Sequence, residues 1–88
     1  MGLLHALGSR KSPCKTISGA KKRASCVFPF VYKRKVYTQC TAVENGGLLW
    51  CATRVDARGE TIRHEWGNCG VKCPSGEEIS NQVEGMVH

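Results

Sequence analysis

CVFPFVYKRKVYTQC, residues 26–40, sets two phenylalanines, two tyrosines and three consecutive basic residues between two cysteines. Four of the chain's six aromatic side chains fall here, and the other two, Trp50 and Trp66, stand beside or near later cysteines. Val31 and Tyr32, then Val36 and Tyr37, are strand formers on either side of Lys33, Arg34 and Lys35, so the segment reads as strand, turn, strand. The turn is unusual, because tight hairpins favour Gly or Asn where φ is positive and neither is present. Whether these rings build a core or a binding surface decides what the chain does.

Working outward, the 88 residues make at most one small domain, too short to be stable by packing alone. Six cysteines, at 14, 26, 40, 51, 69 and 73, answer that shortage if they pair. Zinc ligands usually come in pairs two to four residues apart. Here only Cys69 and Cys73 are close, so a disulfide framework is expected and no metal or other cofactor. Disulfides in turn place the chain in an oxidising compartment, secreted or extracellular. MGLLHALGSR at residues 1–10 does not read as an export signal, because its apolar run is short, interrupted by His5 and without a preceding base. No stretch approaches the length of a membrane span.

The net charge of +6 is unevenly placed. Every acid lies after residue 25, whereas six Lys and Arg precede it, Lys21, Lys22 and Arg23 among them. Residues 1–25 therefore read as a basic flexible leader tethered at Cys14, and residues 70–88 as a polar tail or linker tethered at Cys73. The leader bases and Lys33, Arg34 and Lys35 are candidate contacts for polyanions such as heparin-like glycosaminoglycans or anionic headgroups. Nucleic acid is not an expected partner of a disulfide protein outside the cell. Between the cysteines, ENGGLL at 44–49 and VDARGE at 55–60 carry turn signals, and no long helical period is found.

Within residues 26–69, Cys26, Pro29, Phe30, Tyr32 and Cys40 are followed by Trp50-Cys51, Asp56, Trp66 and Cys69. This spacing closely resembles the fibronectin type II module; the related kringle fits less well because its middle is longer. The resemblance implies a small, disulfide-rich, mainly β fold with two short antiparallel sheets and irregular loops. It also implies the bridges Cys26–Cys51 and Cys40–Cys69, which leaves Cys14 and Cys73 for each other; spacing alone permits other pairings. The chain departs from the family where Ala57 and Asn68 replace aromatics and where the segment from Cys51 to Trp66 is longer.

Such modules are non-catalytic and bind through an exposed aromatic pocket. The resemblance implies denatured collagen (gelatin) or another matrix protein as partner, with choline phospholipid headgroups as a second ligand class. Extended, Gly- and Pro-rich strands dock on flat rings by apolar contact, whereas a quaternary ammonium needs several ring faces. By position Tyr32, Trp50 and Trp66 match the pocket, with Tyr37 a further candidate, while Phe28 and Phe30 are expected to pack inside. With aromatics missing at Ala57 and Asn68, choline binding should be weak, and Ile62 or His64 stands as a replacement wall. An enzyme is not expected: His5, His64 and His88 have no nucleophile or carboxylate arranged beside them. The remaining reading is a spacer or exosite module of a larger secreted protease.

Overall fold

The computed structural model describes residues 8–75, and within them the chain forms six short strands and no helix. They are β1 (Arg10–Ser18), β2 (Ser25–Phe28), β3 (Phe30–Tyr32), β4 (Lys35–Tyr37), β5 (Trp50–Ala52) and β6 (Trp66–Cys69). One sheet runs β2-β1-β6-β5 and the other is the β3-β4 hairpin, every pairing antiparallel. This is the small, mainly β architecture of two antiparallel sheets that the resemblance to the fibronectin type II module implies. The expected leader's residues 1–7, including His5, and the expected tail's residues 76–88, including His88, lie outside the described residues.

Sulfur occupies the centre. Cys26 pairs with Cys51, Cys40 with Cys69, and Cys14 with Cys73. The Sγ atoms of Cys14, Cys26, Cys40, Cys69 and Cys73 all lie within 4.8 Å of one another, so the three bridges stack. With every described cysteine bridged, this cluster has no thiolate to offer a metal ion. Around it pack Val27, Phe30, Trp50 and Ala52, and little else that is apolar and buried. In the chain-entropy description each bridge adds roughly 3–4 kcal/mol, less where loops interlock. That is comparable to everything so small a core supplies.

Residues 10–18 correct the expectation of a flexible leader. RKSPCKTIS shows no clean apolar alternation, yet it becomes the longest strand and the link between β2 and β6. Two things hold it. Cys14 is drawn inward by its bridge, and Thr16, only 1% exposed, organises the chain that follows. The Thr16 hydroxyl donates to the Lys21 carbonyl (2.7 Å) and accepts from the Ala24 amide (3.0 Å), while the Thr16 backbone exchanges bonds with Arg23 and Ala24. Residues 19–24 thus wrap a buried hydroxyl and press on β6. A methyl on Gly67 would strike the Thr16 side chain at 2.6 Å. Replacing Thr16 by the isosteric Val takes this partner from the Ala24 amide and the Lys21 carbonyl, so Thr16→Val is expected to cost about 1 kcal/mol in denaturant unfolding of the oxidised protein.

The β3–β4 hairpin pairs Phe30 with Tyr37, Val31 with Val36 and Tyr32 with Lys35. Its two turn residues, Lys33 (φ 48°) and Arg34 (φ 69°), both take the left-handed conformation. That is the turn a two-residue hairpin demands, built here from residues ill suited to it. A non-glycine residue there costs roughly 1–2 kcal/mol, while glycine returns about 0.5–1 kcal/mol through its freedom in the unfolded chain. Arg34→Gly is therefore expected to stabilise the protein by up to about 1 kcal/mol, read as a raised unfolding midpoint.

Candidate functional site

Pleating puts the two tryptophans on one face. β5 and β6 pair Trp50 with Asn68 and Ala52 with Trp66, so these four side chains share a surface while Cys51 and Gly67 face the other way. Trp50 and Trp66 meet diagonally, edge to face, with centroids 6.3 Å apart at 81°. The fully buried Ala52 leaves room beside Trp66. Tyr32, at the end of β3, meets Trp50 in a second edge contact, 5.2 Å at 83°.

From these rings a cavity of about 360 Å³ opens to solvent, lined also by Val43, Glu44, Asn45, Ile62, Arg63 and His64. Two loops complete it. The loop ahead of β5, which holds the expected ENGGLL turn at 44–49, bends through Glu44, Gly46 and Gly47 at positive φ and is pinned at Val43, whose carbonyl accepts the Trp50 indole N–H at 2.8 Å. The 61–64 loop is held to β3 by the Thr61 amide on the Val31 carbonyl, 3.0 Å. Before it, the VDARGE turn is closed by Asp56, whose carboxylate accepts the Arg58 and Glu60 amides.

The expected site residues therefore divide. Tyr32, Trp50 and Trp66 line one cavity, but Trp50 is only 7% exposed and forms its floor. Trp66 is half-buried and gives a wall. Tyr37 is not among the lining residues and stacks on Phe30 (5.4 Å, 23°), which is fully buried. Of the aromatics missing from the pattern, Ala57 borders a separate small cavity with Val55 and Arg58. Asn68 sits against the site, tied to Asn45 at 2.8 Å. Ile62 and His64, the suggested replacements, both line the aromatic cavity.

The bases divide as well. Lys33 is held by Glu44, its ammonium 2.8 Å from each carboxylate oxygen and 5.6 Å from the Tyr32 ring centre. It is thereby paired with an acid, where the sequence suggested an anion contact. Lys35 lies 5.6 Å from the Tyr37 ring centre, whereas Arg34, Lys21, Lys22 and Arg23 are exposed. Glu44 is a site residue that sequence reasoning missed: nothing local links it to a hairpin eleven residues upstream.

Glu44 also accepts the Tyr32 hydroxyl at 2.7 Å. The Lys33 and Tyr32 bonds hold the Glu44 carboxyl below its usual range, and that carboxylate in turn raises the Tyr32 phenol and the Lys33 ammonium. A carboxylate with a depressed pKa in the folded state contributes above its unfolded pKa and loses that contribution as pH falls through the lowered value. The Tyr32–Glu44–Lys33 latch is thus closed at neutral pH and released in acid. In Glu44→Gln the Tyr32 phenol, without its hydrogen bond to a carboxylate and the negative charge beside it, is expected to ionise at lower pH than in the wild type, followed by phenolate absorbance.

A mainly β scaffold held by three disulfides and carrying an open aromatic cavity is the build of a small disulfide-rich module. The chain belongs to the fibronectin type II domain family, whose model matches residues 26–69. It is 43% identical over 44 residues to the human cation-independent mannose-6-phosphate receptor, half of this chain and 2% of the receptor. It is 36% identical over 55 residues to the chicken 72 kDa type IV collagenase, 61% of this chain and 8% of that enzyme. The chain thus spans a small fraction of the length of either relative. No solved structure matches it significantly.

Proposed function

We propose that the chain is a non-catalytic, secreted binding module that takes an extended, gelatin-like segment of a matrix protein across the cavity of Tyr32, Trp50 and Trp66. One observation carries the reading: a half-buried indole stands beside a buried one at the mouth of an open cavity, an apolar surface set against solvent by a rigid scaffold. Flat rings of this kind suit the Gly- and Pro-rich faces of a polyproline II strand. A relative named a type IV collagenase contains a matching segment, which supports a collagen-derived partner. Because that relative is many times longer, work as one module of a larger secreted protein fits the same reading. A choline headgroup suits the cavity less well, since Arg63 and His64 share its lining and Glu44 is already neutralised by Lys33.

A second reading, polyanion binding, draws on the exposure of Lys21, Lys22 and Arg23 together on one loop. Retention of the oxidised protein on immobilised gelatin, heparin and phosphorylcholine separates the three. Gelatin retention is expected, weakened roughly tenfold or more in Trp66→Ala with all three bridges intact, the loss typical of an aromatic anchor. A wild type that passes through gelatin and elutes from heparin only at raised salt would replace the first reading with the second.

A further inference from the structure

The family match begins at Cys26, yet the wall of the cavity does not. Trp66 is backed by residues 16–21, which precede the matched segment. The Lys21 amide donates to the Trp66 carbonyl at 2.9 Å. Gly19, at φ 92°, lies so close that a Cβ there would be 3.0 Å from Cζ3 of Trp66 and 3.1 Å from the Asn68 nitrogen. The ring and the backbone of β6 are therefore seated on a position where any side chain would be strained. From the same turn Ser18 begins a chain of side-chain hydrogen bonds. The Asn68 amide donates to Ser18 Oγ at 3.0 Å, and the Asn45 amide donates to Asn68 Oδ1 at 2.8 Å and to the Leu48 carbonyl at 2.9 Å.

That chain runs from β1, across β6, to the loop that supplies Val43, Glu44 and Asn45 to the cavity. It occupies the position where the family usually has an aromatic, Asn68, and converts a lost wall into a tie.

We infer that Ser18, through Asn68 and Asn45, is a positioning residue for the aromatic cavity, and that the segment before the family module sets the geometry in which ligand is bound. The inference rests on the binding reading above for its consequence, but not for its geometry. Ser18 does not line the cavity, so it acts only through its partners. Removing its hydroxyl leaves Asn68 free to turn its amide, and Asn45 loses a fixed acceptor, so the Asn45 side of the loop shifts relative to Trp66 while Val43 stays pinned by the Trp50 indole.

The test compares the oxidised wild type with Ser18→Ala and Ser18→Thr, the three bridges of each verified by peptide mapping. Amide and indole resonances report the geometry, and retention on immobilised gelatin reports binding. In Ser18→Ala the Asn45 side-chain amide and Trp66 indole resonances are expected to move and gelatin affinity to fall several-fold. Ser18→Thr, which keeps the hydroxyl, is expected to restore both. Unmoved Asn45 and Trp66 resonances in Ser18→Ala overturn the inference. So does full gelatin retention by a Ser18→Ala protein whose resonances have moved, or failure of Ser18→Thr to rescue. A wild type that ignores gelatin removes the binding reading instead, and the resonances still decide whether Ser18 holds the cavity.

Discussion

Three disulfides stacked against one another stand where a larger domain has a hydrocarbon core. With Cys14, Cys26, Cys40, Cys51 and Cys73 all buried and few apolar side chains beside them, the covalent bonds fix where the strands cross. Everything else is arranged around that knot. Strands of three or four residues are too short to persist alone. Here β2 is anchored at Cys26, β5 at Cys51, β6 at Cys69 and the longer β1 at Cys14, while the β3–β4 hairpin, which holds no cysteine, is seated on the buried Phe30. The fold thereby stays small without being loose, and most of its length is left to loops.

The aromatic side chains continue outward from this centre in a graded series. Phe30 is sealed inside and touches Phe28, Tyr37 and Trp50. Trp50 is nearly buried and touches Tyr32 and Trp66, which reach solvent. Core and surface are the two ends of one ring cluster, and Trp50 belongs to both. Such edge and stacked pairs each add about 0.5–1.5 kcal/mol beyond their buried area. The cavity is therefore stiff, because its floor is part of the packing. A rigid floor is one that need not be ordered when a ligand is taken up, which lowers the cost of any binding there.

Much of this was legible in the residues. The intervals between cysteines, the Pro29-Phe30 pair and the Trp50-Cys51 pair carry the resemblance to the family, and it is the resemblance, not the spacing by itself, that implies the fold and which cysteines pair. The hairpin at 30–37 was visible in its β-branched and aromatic flanks, and its turn was not, because Lys33 and Arg34 adopt a conformation against their own preference. The strand at residues 10–18 was hidden for a different reason. Its stability comes from a distant cysteine and a buried threonine hydroxyl, neither of which produces an alternating apolar pattern. Asn68 was visible only as a missing aromatic, and its tie to Ser18 and Asn45 joins three segments far apart in the chain. Trp50 was legible as a cavity residue but not as its floor, since burial of an indole depends on Phe30 behind it.

The Cys14–Cys73 bridge joins the two sides of the molecule across 59 positions of chain, with Cα atoms 5.0 Å apart. Tension applied to the backbone outside this pair passes through a single covalent link and never enters the segment between them. The rings, the loops and the hydrogen-bonded ties of the cavity are mechanically shielded, so a pull along the chain leaves the cavity undeformed.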